Sequence, residues 1–196
     1  MSTTEKKREL EHRARLLEAL ACSLRERGLR ATQIADIVRL AHTSRRTFYE
    51  CFADKETCFV ELVREATTRL LATIEASIDP AAPWEAQVDR AVDTYVQALA
   101  EDPAMIATIS RELPALGLRG AAVQREGIER YAALVVRLAA SGRMVQAGVR
   151  KLPLQAAVML VGGINELVIH AVEHGESLDT VAAVAKDVIK AVLRPA

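Results

Sequence analysis

Helical periodicity constrains this chain more than any other feature. Along almost its whole length apolar residues return every three or four positions, and no alternating β-rich run appears. A chain patterned this way buries its stripes by packing helix against helix, so the predicted fold class is all-α.

The punctuation sets the elements. Leu10, Ala14, Leu17, Leu20, Ala21 and Leu24 predict an amphipathic helix over 6–27 that Gly28 ends. Thr32 stands where an N-cap belongs, before a short helix burying Ile34, Ala35, Ile37, Val38 and Ala41. After a break at His42 and Thr43, Ser44 caps a third helix through Tyr49. A fourth runs from about Asp54 to Ser77, with Phe59, Leu62, Val63, Ala66, Leu70 and Ile74 inward. Pro80 and Pro83 interrupt the chain, and helices are predicted over 84–100, 103–116, 118–140, 153–174 and 178–193.

The 153–174 segment is apolar on nearly every side, which predicts burial both in its own domain and against something else. Gly162 and Gly163 sit inside it at a cost of about 1 kcal/mol each relative to alanine. A two-fold partner approaching closely accounts for them, with a kink or tight packing inside the chain as the alternative. The expected dimer face is Gly162, Gly163, Leu167, Val181, Val184 and Val188.

Bulk properties narrow the function. Asn165 and Glu166 interrupt the LVGGINELVIHAV run, so no segment is expected to span a membrane, and the residues after Met1 are charged rather than apolar. Cys22, Cys51 and Cys58 are odd in number and lack zinc spacing, which predicts reduced thiols and a cytoplasmic location. Cys22 reads as packing and Cys51 as an inert, half-buried thiol rather than a redox sensor. His12, His42, His170 and His174 form no metal cluster with cysteine, and no nucleophile elbow or phosphate-cradling loop occurs. No enzymatic activity, metal or cofactor is expected. Charge cancels over the whole chain, yet residues 1–55 hold twelve basic and eight acidic side chains, leaving +4 there and −4 in the rest. Any polyanion partner belongs to that first part, where Lys6, Lys7 and Arg8 also offer a basic arm.

Three helices in about fifty residues, the last two short and split by a tight turn, have the proportions of a helix-turn-helix module. The stretch LAHTSRRTFYECFADK adds a basic, hydroxyl-rich run beside three aromatic rings. Thr43, Ser44, Arg45, Arg46 and Thr47 give the third helix the polar and cationic N-terminal end that reaches base edges in a major groove, with Arg46 favoured as base reader by its middle position. Thr32 can offer a hydroxyl and an N–H to a phosphate. Phe48 and Phe52 anchor the helix, while Tyr49 places its ring in the core and its hydroxyl on a phosphate.

The run from Gly28 to Val63 resembles the DNA-binding domain of the tetracycline-repressor (TetR) family of transcriptional regulators, most specifically in Tyr49, Phe52 and Lys55 at Tyr-x-x-Phe-x-x-Lys spacing. The resemblance implies a helix-turn-helix domain at 1–55 and a helical ligand-binding and dimerisation domain at 56–196. It also implies that Lys55 clamps a phosphate. His42 replaces a common glycine in the turn, where positive φ is required and histidine is tolerated. Cys51 stands where histidine is frequent, and Glu50 is expected to point away from DNA. The implied function is a homodimeric repressor that a small, largely apolar effector releases from a two-fold symmetric operator. Expected pocket walls are Trp84, Tyr95, Met105, Ile109, Tyr131 and Met159. An activator or ligand-independent regulator is the alternative, and a helical interaction module or enzyme without DNA binding the remoter one.

Overall fold

A computed structural model describes residues 3–195. It consists of helices α1 (Thr3–Ala31), α2 (Ile34–Leu40), α3 (Arg45–Cys51), α4 (Lys55–Ser77), α5 (Trp84–Ala100), α6 (Pro103–Ala115), α7 (Leu118–Ala139), α8 (Gly142–Gln146), α9 (Leu154–His174) and α10 (Leu178–Leu193), with no strand among the described residues. The proline- and glycine-bounded helices lie where the periodicity predicts them. The five-residue α8 is an addition to that prediction, since one turn is too short to show a period. The Lys6 side chain of the basic arm lies outside the described residues.

The chain divides into two compact units, residues 1–66 with 108–123 and residues 67–107 with 124–196. The first unit thus extends beyond the motif-based boundary at residue 55 and takes in a later segment. Its core gathers Leu16, Leu20 and Leu24 of α1, Ile37 of α2, Phe48 of α3 and Phe59 of α4, all at most 1% exposed. Leu10, by contrast, is 58% exposed and Ala14 is also on the surface, so the buried stripe of α1 starts later than predicted.

The corner between α1 and α2 is built from backbone accounting. Gly28 breaks α1 with φ 74° and ψ 175°, a conformation essentially confined to glycine. Thr32 then turns inward: it is 1% exposed, and its hydroxyl donates to the Gly28 carbonyl at 2.7 Å while the Ser23 hydroxyl lies 2.9 Å away. It is therefore not the N-cap of α2. That place belongs to Gln33, whose N–H donates to Asp36 at 3.1 Å in a capping box. The Lys55 ammonium closes the corner by donating to the carbonyls of Leu29 at 2.7 Å and Thr32 at 2.8 Å. Charge-assisted bonds of this kind are the stronger class.

In the second unit α10 packs against α5 and α9. Lys186 pairs with Asp93 and Lys190 with Asp89, each at 2.5 Å, along the α5–α10 seam. Val181 is 7% exposed inside this core, which removes it from the expected dimer face. α9 spans 21 residues with a mean hydropathy of 1.5 over its most apolar window, enough by length and composition to cross a membrane. Asn165 and Glu166 therefore do not bring this helix below spanning length and hydropathy, contrary to the weight the sequence reading gave them. Ala157, Leu160, Val168 and Ala171 of α9 are nevertheless buried in the helical core.

Gly120 is required by contact, since a Cβ there would lie 1.7 Å from the Leu113 carbonyl oxygen, whereas Gly127 of the same helix has open space around it. Gly120→Ala is expected to destabilise by about 3 kcal/mol and Gly127→Ala to stabilise by about 1 kcal/mol, both read from urea midpoints. Lys55→Met should cost the DNA-free protein about 3 kcal/mol, because it strands two carbonyls of the corner; an unchanged midpoint would return Lys55 to a purely phosphate-facing role.

Candidate nucleic-acid interface and ligand cavity

α3 is placed by its ends and by its rings. Ser44 caps it, accepting from the Thr47 N–H at 3.1 Å, with the two hydroxyls 3.0 Å apart. His42 holds φ 49°, the positive value expected of the preceding turn. Phe48 and Phe52 are 0% and 2% exposed, their ring centroids 5.8 Å apart. A contact that the sequence does not announce secures the far end. The Arg13 guanidinium sits 4.7 Å from the Phe52 centroid, pairs with Glu61 at 2.6 Å and reaches the Cys51 carbonyl at 3.5 Å. A cation held between an aromatic face and a carboxylate fixes α1, α3 and α4 together.

With its apolar side pinned, α3 presents Ser44, Arg45, Arg46, Tyr49 and Glu50 to solvent, and Thr43 and Thr47 half-exposed. Tyr49 corrects the sequence reading: it is 57% exposed and meets Phe48 edge to face at 5.6 Å, so its ring is on the surface and not in the core. Glu50 does not point away from the polar face. It accepts from Arg46 Nε at 2.9 Å across one helical turn, with the Arg46 side chain 89% exposed. An exposed pair of this spacing is worth only a few tenths of a kcal/mol, about 0.3–0.5, and yields readily to a better partner.

Arg45 and Tyr49, also one turn apart, face the other way. They line a surface groove of about 430 Å³ together with Arg30, Gln33 and Lys55. Sequence reasoning misses Arg30 and Gln33 because neither lies in the basic run. Thr32 borders the groove, but its hydroxyl is committed to Gly28 and Ser23 and does not face outward for a phosphate. Lys55 likewise commits two of its N–H bonds to the corner. On the groove's α4 side, Thr57 donates through hydroxyl and N–H to Asp54, which holds that carboxyl below its usual range, with a smaller contribution from Arg119. Arg119 also donates to the Thr57 hydroxyl at 2.6 Å.

All three cysteines are free thiols. Burial first of all raises the Cys51 thiol, which opposes the thiolate that oxidation requires, and pushes Cys58 up to about 12. Cys22 is exposed, contrary to the packing role expected of it.

The second unit holds an apolar cavity of about 90 Å³ that Tyr95 and Tyr131 line. The other residues expected there lie elsewhere. Trp84 borders a separate shallow cavity with Pro83 and Arg143, and Met105 is half-buried away from the lining. Ile109 belongs to the first unit, and Met159 is 69% exposed. Bulk and helical phase point to all six, but only tertiary placement separates a cavity wall from a surface.

Residues 16–62 match the family of bacterial regulatory proteins, tetR family. No curated protein sequence matches the chain. Among solved structures, the transcriptional regulator FadR from Bacillus subtilis in complex with stearoyl-CoA superposes with a TM-score of 0.73 at 18% identity, over 93% of this chain and 98% of that one. The fatty acid degradation regulator FadR from Bacillus halodurans gives 0.72 at 23% identity, over 92% and 97%. A TetR-family transcriptional regulator from Pectobacterium atrosepticum gives 0.68 at 23% identity, over 99% and 96%. Residues 16–62 are therefore similar to the tetR family of bacterial regulatory proteins, and the chain as a whole shares the fold of these solved regulators.

Proposed function

We propose that the protein is a homodimeric, sequence-specific repressor acting on DNA in the cytoplasm, released from a two-fold symmetric operator by a small, largely apolar ligand. The observation that carries this reading is α3: a capped helix anchored by buried rings, with Arg45 and Arg46 exposed on its first turn. Arg46 is the base reader in this reading, because its side chain is 89% exposed and an exposed i,i+4 pair holds it only weakly. Bidentate contact to guanine O6 and N7 is the chemistry its fork suits. Arg45 and Tyr49, in the groove with Arg30, serve phosphates. Ser44, Thr43 and Thr47 orient the helix end, and Thr32 and Lys55 support it from behind.

The dimer rests on α9 and α10. Met159, Gly163 and Leu167 recur every four residues on α9, and Val184 and Val188 do so on α10; all are exposed in the protomer. A Cβ added at Gly162 or Gly163 would meet no heavy atom within 4 Å, so tight packing inside the chain does not account for these glycines. A second copy laid against this face would. Ligand response is supported by the apolar cavity and by the FadR of Bacillus subtilis, a neighbour in fold that was crystallised with stearoyl-CoA.

Selection of bound duplexes from a random pool should return a palindrome with half-sites about one helical turn apart, roughly 34–36 Å. Arg46→Ala is expected to relax preference at one base pair per half-site, a loss of about 1–3 kcal/mol of discrimination. Arg45→Ala should weaken all duplexes alike and reduce the salt slope by about 1 for each head. Identical selected motifs for Arg46→Ala and the parent would remove Arg46 from base reading. Gly163→Leu should leave helicity intact yet sediment as a monomer, whereas a dimeric Gly163→Leu protein would rule out this face.

A further inference from the structure

The cavity of the second unit has an unusual chemical inventory. Every residue that lines it is alanine, valine, leucine or isoleucine, except Tyr95 and Tyr131. The two rings meet edge to face with centroids 5.6 Å apart. Burial raises both phenols, Tyr95 to about 12, so both are protonated hydroxyls at neutral pH. Their two hydroxyls are the only polar side-chain groups among the lining residues. Between aliphatic walls a hydroxyl is where a guest's oxygen finds a hydrogen-bond partner, and a guest without one gains only from apolar burial.

The lining is as informative in what it contains for charge. It is composed of uncharged side chains throughout. Arg130 lowers the Tyr131 phenol slightly by its charge, but its guanidinium donates to the Thr68 hydroxyl at 2.8 Å and is not among the lining residues. A carboxylate or ammonium entering here would lose its hydration with no counter-ion in the wall.

Shape follows from a second apolar cavity, of about 50 Å³, which shares Ala91, Val92, Val135, Leu138 and Ile189 with the first and extends to Met144. Two hollows either side of one aliphatic wall suit a chain rather than a disc. A guest reaching both must part that wall, which couples occupancy to the packing of α5, α7 and α10.

We propose that this cavity takes an uncharged, chain-like apolar molecule bearing one oxygen group, such as an alcohol or ketone, whose oxygen hydrogen-bonds to the hydroxyls of Tyr95 and Tyr131. The assignment rests on the reading of the cavity as the effector site. The tyrosine pair sets specificity, and the aliphatic wall supplies affinity.

The test uses the full-length protein at pH 7 with five eight-carbon probes: octane, 1-octanol, 2-octanone, octanoate and octylammonium. Affinities come from calorimetry and from the rise in unfolding temperature. Octanol and octanone are expected to bind at least about 10-fold more tightly than either ion, the penalty for an unpaired buried charge. Tyr95→Phe and Tyr131→Phe should each weaken octanol about 5-fold, the share of one hydrogen bond, while leaving octane within about twofold. Both variants keep the ring and its packing, and an unfolding temperature close to the parent's without ligand checks that they fold. Octanoate binding as tightly as octanol would overturn the proposal, as would Tyr→Phe losses equal for octanol and octane. Octane binding with no advantage for the oxygenated probes would sink this inference but leave the cavity a ligand site. If no probe binds, octane included, the effector-site reading itself fails.

Discussion

A single ammonium group settles the geometry on which the proposed DNA reading rests. Where α1 ends and α2 begins, the chain turns through a glycine-only conformation, and carbonyls that would otherwise continue a helix are left without N–H donors. Lys55 supplies donors to two of them, Leu29 and Thr32, while the Gly28 carbonyl accepts from both the backbone N–H and the hydroxyl of Thr32. Because buried backbone groups left unpaired are costly, this corner has one well-satisfied arrangement and few competitors. The direction of α2 follows from it, and α2 in turn packs on α3, with Ile37 and Phe48 both fully buried. The exposed turn carrying Arg45 and Arg46 is therefore aimed by a lysine and a glycine that never need touch a base.

That hierarchy explains which parts of the molecule are legible in sequence. Helix positions are, because proline and glycine mark ends by steric necessity and the apolar period marks faces. The spacing of Tyr49, Phe52 and Lys55 points to the module, while the Tyr49 ring lies outside the core and Lys55 donates to two backbone carbonyls. A tyrosine on a short helix can turn its ring in or out, and one residue of helical phase decides it; here it is out. Thr32 has two options after a helix end, capping forward or bonding back to the carbonyl four residues earlier. The capping box of Gln33 and Asp36 takes the forward position and leaves Thr32 the backward one. In the second unit no periodic pattern distinguishes a wall of a cavity from packed core, so Tyr95 and Tyr131 stand among six equal candidates until tertiary structure places them.

α9 illustrates how composition can satisfy two opposed readings. One stripe of it is buried in its own unit, and the opposite side carries Met159, Leu167 and exposed glycine. Such a helix needs a second apolar environment, either lipid or protein. Glu166, Glu173 and His174 are exposed on the same helix, and His170 stacks on His174 at 4.1 Å while facing Glu176 at 3.9 Å. Each acidic group at mid-bilayer depth would cost about 2.5–3.5 kcal/mol, whereas at the rim of a protein interface it stays hydrated. A central apolar strip with charged flanks suits the interface between chains that the proposed dimer requires.

The charge pattern of the head then bears on why two copies would be needed at all. Much of its positive charge is already engaged: Arg13 with Glu61, Arg27 near Asp36, Arg46 with Glu50. The uncommitted cations at the groove are few, so in the proposed reading one head would make few phosphate contacts and, at about one counterion released per contact, would bind any duplex weakly at physiological salt. Joining two heads through one interface converts the second encounter into an intramolecular one, with an effective concentration in the millimolar range for well-matched spacing. Affinity gained this way is unusually sensitive to geometry, because a change in the separation of the heads forfeits the whole contribution of the second while leaving each head intact. A ligand with even modest preference for one arrangement can therefore switch occupancy, provided that the preference is differential between the two arrangements. Weak single heads are in this sense a condition for control by a small apolar guest, since a head that held DNA tightly alone would not notice what its partner's spacing had become.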